Sequence, residues 1–385
     1  MISSRNGGKS LAELSGIYID RFVKWIMRVF TIVLLIFCGT VFITSPAALL
    51  SGLTPDALNQ NFWVVVILIY YILATILPID KLIAKIYPFF GMILIIMAVG
   101  IIGGLFIGGY HIPEVTLQNL HPDNLPLFPF MFVTVACGAI SGFHSTQSPM
   151  MARCIKNERE GRQVFYGAMV CEGIVALIWA AAAAYFFGPD SPVDVSSKSG
   201  AAIVGIIADT WFPKVIAVIT VLGVISAAIT SGDTAMRSAR LIVADIIGFD
   251  QKPMRNRLLV AVPIVLVSGG ILVFSITDNR SFQLIWRYFA WANQVLATVT
   301  LWAITVYMAE NKKRPWFVIT IVPALFMTMV TGCFLFVAKS ADGGFGSFIP
   351  RSVGYGIGAV ITVAALTAFI IWKVKNDRHN REMAK

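Results

Sequence analysis

The sequence predicts an all-α polytopic membrane protein of about ten transmembrane helices, and three observations predict it. The first is composition: the 385 residues are 57% hydrophobic and 13% charged, with a mean hydropathy of +0.80. Soluble domains carry about 25% charged residues. The second is blocking: apolar residues come in runs of about 20, the length that crosses a ~30 Å hydrocarbon core. The third is the placement of positive charge. With the N-terminus in the cytoplasm, 24 of the 30 Lys and Arg residues fall on the inner side, as the positive-inside rule requires.

Taken in order, the expected spans are 25–45, 61–79, 89–109, 128–147, 164–187, 213–232, 258–277, 284–308, 316–338 and 353–372. Gly200–Trp211 is apolar but too short to cross, and reads as an interfacial or re-entrant helix. The inner loops hold clusters such as Arg153, Lys156, Arg159 and Arg162, and then Lys312, Lys313 and Arg314. The outer side holds Lys198, Lys214, Arg280, Lys339 and Arg351, with Arg287 near the start of a span. No linker or low-complexity segment divides the chain. Residues 1–385 therefore read as a single membrane domain: a cytoplasmic N-terminal loop at 1–24, a bundle at 25–372 and a cytoplasmic tail at 373–385. The partner this implies is the lipid bilayer. A net charge of +10 would suggest nucleic acid in a soluble protein, but here it follows from the loop bias. Oligomeric state is not legible.

The five cysteines (Cys38, Cys137, Cys154, Cys171 and Cys333) have no metal or redox spacing and read as small buried hydrophobes. No zinc, Walker, dinucleotide or Ser-His-Asp pattern is present. The expectation is no catalytic residue, no metal, no cofactor and no enzyme.

Function points to the fourth span, within Pro129–Glu158. It begins apolar and then breaks into Gly138-Ala-Ile-Ser-Gly-Phe-His-Ser-Thr-Gln-Ser-Pro149. Gly138 and Gly142 alone could mean close helix packing. Ser141, His144 and Gln147 at membrane depth are costly unless they face a protein-lined cavity, and a broken helix around such a cavity is a common transporter site. His144 could carry a proton near neutral pH or be a satisfied core histidine. At the inner end of the sixth span, Thr230 and Ser231 are adjacent hydroxyls with Asp233 just beyond, oxygen ligands suited to Na⁺. Asp233 and Arg237 also have the i, i+4 spacing of a plain salt bridge. In the eighth span, Asn293 and Gln294 must find partners across the bundle, as substrate or gate residues or as helix–helix glue. Glu172, alone in the fifth span, is a second proton-relay candidate, with snorkelling as the alternative.

At GAISGFHSTQSPMMARCIKNE the sequence resembles the carbon starvation protein A (CstA) family of inner-membrane transporters. SGDTAMRSARLIVAD, FAWANQVLA and the opening Ser3-Ser-Arg-Asn-Gly-Gly-Lys-Ser-Leu-Ala-Glu13 resemble three further family segments in family order. The resemblance implies import of peptides or a small carboxylate such as pyruvate in the carbon-starvation response, coupled to H⁺ or Na⁺ with no other cofactor. It also implies a bacterial inner-membrane location and a LeuT/APC-like inverted-repeat bundle. Span 128–147 would be the discontinuous first helix of the second repeat, and Thr230 and Ser231 would sit where such folds often hold sodium. Family members carry two or three spans upstream of the Arg-Asn-Gly-Gly loop, including a Gly/Pro-rich one. On this comparison the chain lacks its first helices and one half of a two-helix site, and on its own is expected to be transport-deficient. A channel or a membrane nutrient sensor is the alternative.

Overall fold

The computed structural model describes residues 2–76, 80–114, 116, 118–119, 121, 124–188, 191–195, 198–277, 279–311, 315–339 and 343–383. Among these residues there is no β-strand. Two short helices open the chain, α1 (Ile2–Arg5) and α2 (Leu11–Tyr18). Long helices follow: α3 (Arg21–Leu53), α4 (Gln60–Ile76) and α5 (Asp80–Ile107). Next come α6 (Leu127–Val135), α7 (Gly142–Ala152), α8 (Ala168–Phe187), α9 (Gly200–Trp211) and α10 (Lys214–Ile247). The chain finishes with α11 (Met254–Thr277), α12 (Asn279–Asn311), α13 (Val318–Val337) and α14 (Arg351–Met383).

Nine segments among the described residues are long and apolar enough to cross a membrane, one of them formed by α6 and α7 together. The expectation of about ten spans differs by one helix. α4 has 17 residues, about 25 Å at ~1.5 Å per residue, and residues 77–79 of that expected span lie outside the described residues. The Lys312–Arg314 cluster also lies outside them. Gly200–Trp211 forms a helix of 12 residues, too short to span, as its length in the sequence requires. Large apolar side chains stand exposed on the long helices, among them Leu177, Leu266 and Val360, as a lipid-facing surface needs. The uniform reading of the cysteines is corrected. Cys38 and Cys333 are buried, but Cys171 is exposed on one face of α8, where helical phase and not local apolarity decides, and Cys154 is exposed in the turn after α7.

The chain forms two compact units, each assembled from separated stretches. One comprises Met1–Leu34, Asp123–Met169 and Trp286–Lys385. Its core is an aromatic and aliphatic cluster in which Val133 of α6 packs with Met327, Val330 and Phe334 of α13. Ring pairs reinforce that seam, with Phe130–Phe334 centroids 5.1 Å apart and Phe132–Phe326 4.9 Å apart. Tyr355 of α14 donates from its hydroxyl to the Phe128 carbonyl at 2.9 Å, covering an acceptor at the start of α6. The other unit comprises Leu35–Pro122 and Val170–Ile285. There α10 packs through small residues: Tyr71 lies where a side chain at Gly232 would go, and Met97 lies against Gly223. Tyr110 stacks on Trp211 at 4.9 Å and ties α9 into the same unit.

Candidate functional site

The fourth span breaks where its sequence turns polar. α6 ends at Val135, a 3₁₀ turn occupies Ala136–Gly138, and Ser141 is extended (φ −113, ψ 127) before α7 begins at Gly142. An interruption leaves helix-end N–H and C=O groups needing partners, which is costly at membrane depth. The side chain of Ser141 stands at the N-cap position of α7 but does not cap it. The cap comes from another helix. The Oδ1 of Asn293, on α12, accepts from the backbone N–H of Phe143 at 2.6 Å and from the Ser141 hydroxyl at 3.3 Å. Asn293 Nδ2 lies 3.3 Å from the sulfur of Cys137 in the 3₁₀ turn. The neighbouring Gln294 donates from Nε2 to the Val133 carbonyl near the end of α6, at 3.2 Å. The Asn-Gln pair therefore straps both halves of the broken helix to α12.

Asn293 and Gln294 are both fully buried. Gln294 Oε1 is buried with no hydrogen-bond partner, an acceptor waiting for a donor. Gly142 permits the close approach. A Cβ there would run into the Asn293 carbonyl oxygen and lie 2.6 Å from Leu296 Cβ. Within α7, the Ser145, Thr146 and Ser148 hydroxyls donate to the carbonyls of Gly142, Phe143 and His144 at 2.7–2.8 Å. That local bonding lets hydroxyls sit in an apolar environment. Gln147 Nε2 donates to Thr146 Oγ1 at 3.0 Å, and His144 is half-buried beside Phe143.

One unit thus brings together Gly138, Ser141, Gly142, His144, Gln147, Asn293 and Gln294. Half-buried Arg287 belongs to the same unit. The other unit holds Glu172, Thr230, Ser231 and Asp233. There α10 runs unbroken through its hydroxyl pair. Thr230 Oγ1 donates to the Ser226 and Ala227 carbonyls, and Ser231 Oγ to Ala227, at 2.8–3.0 Å. Asp233 is 1% exposed; it accepts from the Tyr87 hydroxyl at 2.9 Å and pairs with Arg237 at 3.3 Å. Tyr87 had no signal in the sequence, because nothing local marks a tyrosine at the start of an apolar run as the partner of a distant carboxylate. Glu172 is half-buried in α8.

The family model for the carbon starvation protein CstA matches residues 52–212 and 200–333. An uncharacterized membrane protein of Haemophilus influenzae is 35% identical over 46% of this chain and 62% of its own length. The peptide transporter CstA of Campylobacter jejuni is 24% identical over 81% of this chain and 52% of its own length. The pyruvate/proton symporter BtsT of Escherichia coli is 47% identical over a short stretch, 14% of this chain and 7% of that protein. The chain thus spans about half the length of the curated relatives it matches. A crystal structure of a mutant manganese transporter from Eremococcus coleocola is 14% identical, covers 96% of this chain and 82% of its own, and superposes with a TM-score of 0.49.

Proposed function

The chain belongs to the carbon starvation protein CstA family, and from that premise we propose that it is a secondary active transporter importing peptides or a small carboxylate such as pyruvate, coupled to H⁺ or Na⁺. The observation that supports this most is the break in the fourth span, held open by Asn293. Irregular backbone at membrane depth is tolerated where it lines a cavity, and half-helix ends there supply partial charge to a ligand. The partial positive charge at the start of α7 would take a substrate carboxylate. Gln294 Oε1 would take a donor, such as the ammonium group of a peptide. A peptide engages both groups, a 2-oxo acid only the first.

Gly138, Ser141, Gly142, His144 and Gln147 line the site, with Gly142 letting α12 pack against the break. Thr230 and Ser231 are the proposed cation ligands. Their protons point into their own helix, leaving lone pairs for a hard cation, with Asp233 sharing its charge between that ion and Arg237. His144 and Glu172 are the proton-relay candidates if the coupling ion is H⁺. The reading takes residues 1–385 as one membrane domain of a LeuT-type inverted-repeat bundle working by alternating access. It sits in a bacterial inner membrane with both termini cytoplasmic, and acts when carbon runs short.

Proteoliposomes containing the complete protein should accumulate labelled dialanine or pyruvate saturably, and only under an imposed H⁺ or Na⁺ gradient. His144→Ala and Gln147→Ala are each expected to lower uptake about tenfold or more, with membrane insertion intact. Uptake that is linear in concentration and indifferent to both gradients would contradict the reading.

A further inference from the structure

The opening segment, expected as a plain cytoplasmic loop, is ordered. Ser10 and Glu13 form a capping box, the Ser10 hydroxyl accepting from Glu13 N–H at 3.4 Å and the Glu13 carboxylate from Ser10 N–H at 3.3 Å. α2 buries Leu11, Ala12, Leu14 and Ser15. Between α1 and α2 the chain turns at Gly7 (φ +68) and Gly8 (φ +75), backbone that a side chain would strain. Ser3 Oγ donates to the Lys9 carbonyl at 2.9 Å and closes the turn.

This folded segment grips two elements distant in sequence. The Gly8 carbonyl accepts from Arg153 Nε, just past α7, at 2.8 Å. The Arg153 side chain lies so close that a Cβ on Gly8 would be 2.8 Å from its Cγ. Arg5 reaches further on both sides. Its guanidinium pairs with Glu158 at 3.0 Å and donates to the Tyr307 hydroxyl of α12 at 3.1 Å. Tyr307 and then Glu158 raise the Arg5 pKa above its ordinary value, and a guanidinium is charged at working pH in any case. Tyr18 packs edge-on to Tyr307 with centroids 5.5 Å apart, and its hydroxyl accepts from Asn6 at 2.9 Å.

α7 and the chain leaving it are therefore held to α12 at two levels. Asn293 holds the start, and the N-terminal segment bridges the far end to Tyr307, about 21 Å further along α12 at ~1.5 Å per residue. The two attachments are unequal. Asn293 is fully buried, and breaking its bonds strands buried groups. The Arg5 and Glu158 side chains are 49% and 45% exposed, and such pairs hold weakly and are screened by salt.

We propose that Ile2–Tyr18 is a clasp that locks the inner end of the broken helix onto α12, and that its release lets α7 swing about Asn293 to open the inner side of the site. The gating role rests on the transporter reading; the clasp itself does not.

The test is hydrogen exchange on the complete protein in lipid nanodiscs, with uptake measured in parallel. Arg5→Gln and Glu158→Gln should each speed exchange of amides at 151–160 roughly two- to fivefold, leaving those at 143–146 unchanged. The charge swap Arg5→Glu with Glu158→Arg should restore slow exchange, and both neutral variants should change the maximal uptake rate. Unchanged exchange, or a rise that extends equally to residue 143, overturns the clasp whatever uptake does. Faster exchange with wild-type uptake kinetics overturns its gating role. If exchange responds as expected but the wild-type protein shows no gradient-driven uptake, the clasp stands and the transporter reading fails.

Discussion

Replacing Asn293 with alanine is expected to abolish gradient-driven uptake and to destabilise the protein by about 1–3 kcal/mol. The substitution removes the acceptor that the Phe143 N–H and the Ser141 hydroxyl share among the described residues, and with it the cap of α7. Ser141 is buried and Phe143 half-buried, so the stranded donors lose a bond that solvent replaces only in part. Asn293→Asp keeps an oxygen in the capping position and should preserve much of the stability that alanine loses. The measurement is thermal unfolding in detergent followed by tryptophan fluorescence, alongside transport. Equal stability of the alanine variant and the wild type would remove Asn293 from the architecture of the break.

The second large effect is expected at Gly142. An alanine methyl would collide with the Asn293 carbonyl oxygen and lie 3.0 Å from the backbone nitrogen of Ala297. Backbone atoms cannot rotate away as a side chain can, so α7 must lift off α12. That lengthens the Phe143 N–H to Asn293 bond, which is 2.6 Å in the native packing. Overpacking of this kind costs about 1–3 kcal/mol, and uptake should fall with it. Gly161 is a fair control, since the nearest atom to an added Cβ there is 3.6 Å away. Normal uptake in Gly142→Ala would mean that close approach to α12 is not needed.

Much of this was legible in the sequence. The break between Val135 and Gly142 falls at Gly138 and Gly142, weak helix formers, just before polar residues enter an apolar span. Asn293 and Gln294 were visible as amides in an apolar helix. Their partners were not, since Phe143 and Val133 are joined to them only by helix packing. The hydroxyls' partners were equally hidden: Ser145, Thr146, Ser148, Thr230 and Ser231 each return a proton to their own helix. Four positions after Asp233 stands Arg237, and there the plain i, i+4 pair is what forms. The N-terminal helices carried a local signal that went unread, Ser10 followed three residues later by Glu13.

Substrate is expected to bind at the break capped by Asn293. Alkylation of Ser141→Cys, in a background with the native cysteines replaced, tests it most directly. The expected result is that dialanine or pyruvate slows modification by a maleimide, with half-protection at the concentration that half-saturates uptake. An alkylation rate that stays constant across concentrations saturating for transport would contradict it.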